Sequence, residues 1–458
     1  MVVTEFLKIA SRTTGDILGH SGEIARNYVL PSGYEAGADR PWWRRPGLGI
    51  MYQIETRPGT DWGRDYEEFN RSMTGADGKI AFDGPFCRPE EWVDLSLRAC
   101  VDYHQMELKW HDGICYFDTA LTEWKTPEDY AARFSSASRK AGIPFMFYYS
   151  SVFDHNPQFD PIQPSRRKTM SFIGYRQQYV DYLRAQYREI MEKYNPDGMW
   201  IDWYWTDDAT DATIELFRRE YPDTVLAFNI SNFYPTAHRR LDYTSGEAHS
   251  LDGPYVKLVK VGDDITPVFT SCWKWASMAR RLFAPCWELI APVGKWWQDP
   301  SLRDDPNDLV RMTAITLASG GLFMVGATSR MDGTIFPDQV KQLEILGDWY
   351  GPRKHLFSES VPARYGRREP PGVRVIPGSF RTIACEQGND ILLHLINMEA
   401  SMKPVTVELK GKRWEKVREA LLEPEGTRVD VHREHGFAGI KITPDHSDPV
   451  DTIVRLRY

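Results

Sequence analysis

The chain has 458 residues, a formal net charge of −8 and a pI near 5.8, with no long basic run. That length exceeds what one core organises, so a domain of roughly 300 residues with a smaller companion is expected, and the acidic balance leaves nucleic acid an unexpected partner. No stretch reaches about 18 apolar residues and the N-terminus lacks a basic-then-apolar leader, so a cytoplasmic protein with no membrane partner is expected.

Residues 1–40 show no clear period and read as a lead-in segment. From about residue 47 to 350, short apolar runs alternate with helical patterns, the signature of a parallel sheet wrapped by helices. Strands are expected at 49–53, 105–110, 144–149, 198–203, 225–229, 241–244, 267–270 and 321–325, with helices between them, notably at 175–194 and 307–319. Eight such alternations predict an α/β fold, a (β/α)8 TIM-like barrel over 41–353, whose sixth and seventh units are the least defined. After Gly351-Pro352 the pattern is strands alone, from 373–376 through 452–456, which predicts a C-terminal antiparallel β-sandwich over 354–458. The six cysteines, Cys87, Cys100, Cys115, Cys272, Cys286 and Cys385, have no CxxC spacing and read as reduced, buried small hydrophobes with neither a metal site nor a disulfide framework.

One run stands out within the barrel region. Met199-Trp200-Ile201-Asp202-Trp203 drives a lone carboxylate into the end of an apolar strand, where an ionised acid costs several kcal/mol unless it is paired. Asp207 and Asp208 are better placed to cap the following helix, which leaves Asp202 for chemistry. In a barrel of this type the C-terminal strand ends form the site. Those ends carry Lys109, Trp110 and His111 on strand two, Tyr149 on strand three, Asp202 and Trp203 on strand four, Asn229 on strand five, and Glu247 with His249 beyond strand six. Two carboxylates on nearby strand ends among such neighbours outline glycosidase chemistry, with a glycoside or oligosaccharide as partner. Sixteen Trp residues are enough to fill a core and still line a cleft for sugar rings.

Several segments, taken in order, resemble one family. Pro89-Glu90-Glu91-Trp92 leads to Lys109-Trp110-His111-Asp112-Gly113; Tyr194-Asn195-Pro196-Asp197-Gly198 leads to Trp200-Ile201-Asp202; Trp287-Glu288 precedes Lys295-Trp296-Trp297; and Gly320-Gly321-Leu322 through Gly326 precedes Asp332-Gly333-Thr334. Together they resemble the glycoside hydrolases typified by α-L-fucosidases. The resemblance implies a retaining, exo-acting enzyme that needs no cofactor, with Asp202 as nucleophile. It implies a glutamate as acid/base: Glu247, in a segment similar to D-Y-x-T-P-E, or Glu288, with Asp252 and Glu55 as further alternatives. His111 matches a sugar-binding His, and Lys109, Trp110, Gln53, Glu55, Tyr149, Trp203, Trp205, Asn229 and His249 complete the set of substrate-binding candidates. The departures concern the sugar. Gln53 stands where the family has a strand-one His, Trp110 replaces the first His of H-H-D-G, and Ser231 occupies a position that often holds Arg. L-Fucose, another sugar, and a non-catalytic sugar-binding role therefore stand as alternatives; a homo-oligomer is compatible with this size, though no residue specifies it.

Overall fold

The computed structural model describes residues 41–54, 65–168, 171–174, 176–204, 208–231, 237, 240–254, 256–261, 264–282, 286–297, 299–363, 370–399, 402–434 and 436–458. The expected lead-in at 1–40, together with Glu55 and Trp205, lies outside these residues. Among the described residues, ten strands precede residue 330: β1 (Gly47–Gln53), β2 (Tyr103–Lys109), β3 (Phe145–Ser150), β4 (Gly198–Asp202), β5 (Val225–Phe228), β6 (Tyr243–Glu247), β7 (Val256–Val261), β8 (Asp264–Phe269), β9 (Trp287–Pro292) and β10 (Leu322–Thr328). Eight of them close a parallel barrel in the order β1-β10-β9-β6-β5-β4-β3-β2.

Strand alternation sorts the side chains into two layers. Met51, Tyr103, Met146, Tyr148, Trp200, Tyr243, Ile290 and Met324 pack inside the barrel, whereas Phe145, Phe147, Tyr149, Met199 and Ile201 belong to the larger core under the helices. The approach to β4 shows how local chemistry sets this up. The helix Gln177–Tyr194 stops at Asn195, which adopts the left-handed conformation (φ 40°), and Pro196 cannot continue it. Gly198 then opens the strand because a Cβ there would lie 2.7 Å from Met146 Cε and 2.8 Å from the Val225 carbonyl oxygen.

Two expected units differ from the structure. The run at 267–270 is not the seventh barrel strand: β8 pairs antiparallel with β7 in a hairpin inserted between β6 and the helix Cys272–Leu282. The seventh strand is β9, whose apolar pattern is interrupted by the buried Glu288. β6 runs two residues later than expected, which brings Glu247 onto the strand itself. No disulfide joins the six cysteines among the described residues, and Cys100 and Cys286 are partly exposed rather than buried.

Beyond the helix Pro337–Tyr350 the chain forms two antiparallel sheets. One holds six strands, with Phe380–Gln387, Asp390–Asn397 and Asp451–Arg457 at its centre, and the other four, Val373–Ile376, Val405–Lys410, Phe437–Ile442 and Val431–Glu434. Where the sandwich meets the barrel, Arg311 on the helix Asn307–Ala318 is 1% exposed. It pairs with Asp305 and Asp308 and donates to the carbonyls of Asn397 and Glu399. Nearby, His394 Nδ1 lies 2.7 Å from Asp451 Oδ2, both fully buried, with the imidazole stacked on Phe357. Burial opposes the charged ring, but the Asp451 carboxylate and the Cys385 thiol outweigh it and raise the His394 pKa from 6.5 to about 10. A raised histidine pKa stabilises the fold fully below the unfolded value and loses that contribution as pH rises through the folded value. The melting temperature should therefore fall between pH 7 and pH 10 in the parent, and fall less in His394→Gln; equal slopes in a calorimetric series would contradict this.

Candidate active site

Asp202 ends β4 inside the barrel mouth, level with Ser150 on β3, and is 4% exposed. Its Oδ2 accepts the Tyr148 hydroxyl at 2.6 Å, and its Oδ1 accepts Asn229 Nδ2 at 2.9 Å and the Trp203 N–H at 3.1 Å. Burial still wins: it raises the Asp202 pKa to about 7, the nearby Glu247 adds to the rise, and the hydrogen bonds from Tyr148, Asn229 and Trp203 restrain it.

Asn229 follows β5, and the same Nδ2 donates to Glu247 Oε1 at 2.8 Å. One amide nitrogen thus joins the two carboxylates. Two N–H bonds of a trigonal amide nitrogen diverge by about 120°, so bonds directed along them set the two accepting oxygens roughly 5 Å apart. The amide's orientation is fixed because its Oδ1 accepts the Ile230 N–H at 2.8 Å. Trp203 and Ile230, each following a site side chain, both adopt left-handed φ values of 67° and 53°. Such conformations cost bulky residues about 1–3 kcal/mol each, and here each turns a backbone N–H onto the preceding side chain.

Glu247 Oε2 accepts the Trp297 Nε1–H at 3.1 Å and lies 3.0 Å from His249 Nε2, a hydrogen bond whose direction follows the protonation of the ring. Burial pushes this carboxyl up, but His249, Asn229 and Trp297 together hold its pKa below the usual value. Trp297 reaches Glu247 across Gly326 of β10, where a Cβ would lie 2.6 Å from the indole. His249 stacks on Trp296 at 4.6 Å and meets Trp297 edge-on at 5.7 Å. Behind Asp202, His111 Nδ1 lies 2.7 Å from Ser150 Oγ, whose own proton goes to the Phe153 carbonyl. His111 must therefore carry its proton on Nδ1, which leaves Nε2 as an acceptor 3.8 Å from Asp202 Oδ2. Burial, with His155 and Lys109 nearby, keeps this ring neutral by pushing its pKa well down. Trp110 stacks on His111 at 3.9 Å and on Tyr148 at 5.9 Å. Gln53 ends β1 and is 3% exposed, and its Oε1 meets no hydrogen-bond donor among the described residues.

Three expected site residues stand elsewhere. Lys109 is buried outside the barrel, bonded to Asp154 over the Tyr149 ring at 4.3 Å; a register shift between Glu107 and Lys109 turns it away from the cleft. Tyr149 faces the helix layer and bonds Gln186, so its neighbour Tyr148 is the tyrosine of the site. Glu288 lies deeper, two residues before Ile290, which is level with Glu247. There it accepts Tyr103, Trp200 and Ser245 at 2.8, 2.9 and 2.7 Å, and burial raises its pKa to about 7. Asp252 bonds Ser271 beside the hairpin, and Trp203 packs edge-on against Phe153. Ser231 is fully buried, donating to the Phe228 carbonyl and accepting the Ser245 N–H. Tyr148 and Ser150, which flank Tyr149 at the end of strand three, and Trp297 are site residues that were not among the candidates.

A family model for alpha-L-fucosidase matches residues 62–353. The chain belongs to the alpha-L-fucosidase family. It is 23% identical over 348 residues to the tissue alpha-L-fucosidases of Macaca fascicularis and Homo sapiens, an alignment covering 72% of this chain and 65% of each relative. The chain thus spans just under two thirds of the length of these curated relatives. The alpha-L-fucosidase fold is shared with solved structures: isoenzyme 1 from Paenibacillus thiaminolyticus (TM-score 0.62, 18% identity, 91% of this chain and 97% of that one) and the Thermotoga maritima alpha-fucosidase in complex with fucose (TM-score 0.63, 16% identity, 91% and 96%). Among the described residues, no group of three or more His, Cys, Asp or Glu is arranged to hold a metal ion, and no helix is long and apolar enough to cross a membrane.

The Tyr148 bond favours the ionised form of Asp202. Tyr148→Phe should raise the Asp202 pKa above its parent value in a carboxyl-13C NMR titration; an unchanged or lower value would contradict the bond.

Proposed function

We propose that the protein is a retaining glycoside hydrolase, with an α-L-fucoside as its first-choice substrate class. The observation that carries this reading is the Asn229 amide held between Asp202 and Glu247, a bridge that supports the close carboxyl pair of a double displacement. Asp202 attacks the anomeric carbon as Glu247 protonates the leaving oxygen; Glu247 then takes a proton from water, whose oxygen releases the sugar from the Asp202 ester. In the first step Asn229 and the Trp203 N–H follow the Asp202 charge as it moves from carboxylate to ester.

The substrate contacts follow from the same geometry. A neutral His111 with Nε2 as acceptor, and Gln53 through its Oε1, would each accept a hydrogen bond from a sugar hydroxyl, while Trp110 offers its ring to an apolar sugar face. A second reading keeps this mechanism and changes the sugar. It is favoured by Trp110, an indole where the family pattern has a His, and by Ser231, which is occupied by backbone partners and reaches no cleft.

A panel of aryl glycosides led by the α-L-fucoside tests both readings. Proton NMR of the first product should show the substrate's anomeric configuration; inversion would exclude the mechanism. Asp202→Asn should lower kcat by about 10⁴-fold or more and Glu247→Gln by about 10²–10⁴-fold on substrates with poor leaving groups, and near-parent rates in either variant would refute its role. Glu288 separates the two acid/base candidates. Glu288→Gln should cost about 1–3 kcal/mol of stability through its buried hydrogen bonds, measured by denaturant titration, while the folded fraction keeps its leaving-group dependence.

A further inference from the structure

The proton balance at Glu247 does not close on Glu247 alone. A general acid must enter the reaction protonated, yet among the described residues every hydrogen-bonding neighbour of this carboxyl but one can only donate. Asn229 Nδ2 occupies Oε1 and Trp297 Nε1 occupies Oε2, and neither can accept a proton. The exception is His249 Nε2, 3.0 Å from Oε2. Its ring is clamped rather than free: it lies flat on Trp296, and its backbone carbonyl accepts Arg303 Nη1 at 3.0 Å, while Nη2 of the same guanidinium holds the Pro292 carbonyl at the end of β9. His249 Nδ1 meets no hydrogen-bond partner among the described residues, so no bond locks it in one protonation state.

We propose that His249 is the proton partner of Glu247, so that the proton delivered to the leaving group is held by the Glu247–His249 pair as one titrating unit. This rests on Glu247 being the acid/base. In the loaded pair the extra proton resides either on the imidazole, giving His⁺ beside a carboxylate, or on Oε1, which has one lone pair left beside the Asn229 bond. The Oε1 proton passes to the glycosidic oxygen as the bond from that oxygen to the anomeric carbon breaks and the Asp202 ester bond forms. The pair is then left with a singly protonated imidazole and an ionised carboxylate. In the second step water loses a proton to the pair and its oxygen bonds to the anomeric carbon, which restores the loaded state. Among the described residues, the charged and titratable groups facing this pair are Arg303 from the segment after β9, Asp202 across Asn229 from β4, and Tyr148 from β3; Trp296 and Trp297 are neutral. Because the two sites are bonded, the alkaline limb of activity belongs to the pair and not to either residue.

The test compares the parent, His249→Gln and Asp202→Asn on two glycosides of the preferred sugar, one with a 2,4-dinitrophenyl leaving group, which departs without a proton, and one with phenyl, which needs one. His249→Gln should stay within about 3-fold of the parent in kcat/KM on the dinitrophenyl glycoside and lose about 30-fold or more on the phenyl glycoside at pH 7. That loss should shrink as the pH is lowered to 5, with the alkaline limb moving down by about one pH unit. Equal losses on both substrates at every pH, or an unmoved alkaline limb, would reduce His249 to a structural role and overturn the proposal. In the parent, 15N signals of the His249 ring and the 13C signal of the Glu247 carboxyl should change together at the pH of that limb; two separate steps would also overturn it, and this measurement needs no variant to fold. Full activity in Asp202→Asn would instead overturn the underlying glycosidase reading.

Discussion

A single amide nitrogen, Nδ2 of Asn229, holds the centre of this molecule together. By bonding Asp202 on β4 and Glu247 on β6, it ties the two strands that flank β5 at the barrel mouth. Two carboxylates this close would otherwise repel, and burial would push both towards the neutral form. The amide gives each a fixed positive edge at no cost in net charge, which a lysine in the same place could not do without forming an ion pair with one acid or the other. Much of the surrounding architecture serves to keep that amide in place. Ile230 fixes its rotation, Gly198 lets β4 sit close to β5, and Gly326 makes room for the indole that completes the Glu247 shell.

The acid deep in the barrel plays a different part. Glu288 uses its two oxygens to gather Tyr103, Trp200 and Ser245, so the barrel interior is cross-linked by polar bonds as well as filled by rings. Trp200 then stacks on Tyr148 at 5.5 Å, and Tyr148 bonds Asp202. A buried polar network that is satisfied at every atom specifies one arrangement of the rings around it. The floor of the site is in this way built to a tighter tolerance than an all-apolar barrel would give.

Much of this was legible in the sequence because it follows from repeating physical patterns. The alternation of apolar runs and helical periods located the barrel strands other than the seventh, and the lone acid in Trp200-Ile201-Asp202 marked the site. The misreadings came from features that periodicity does not carry. A register shift on β2 turned Lys109 outward, although its neighbour His111 faces the cleft. Period two along β3, anchored on Ser150, would have chosen Tyr148 over Tyr149. The hairpin β7–β8 reads like a barrel strand because antiparallel pairing between nearby segments uses the same residue types. Glu288 sits near a strand's beginning rather than its end, and only the register with β6 reveals its depth. Trp297 reaches Glu247 from a loop across a glycine, a contact between segments far apart in the chain.

The left-handed backbone at Trp203 and Ile230 has a consequence for how this protein would change under selection. Glycine or asparagine would relieve both positions, so a screen for heat resistance alone would tend to collect such replacements there. Glycine, which takes either sign of φ with equal ease, would also hold less firmly the peptide N–H that aims Asp202 or the Asn229 amide. Glycine variants that survive higher temperatures by this route would trade aim for endurance, and these two strained residues are ones an engineer should leave alone.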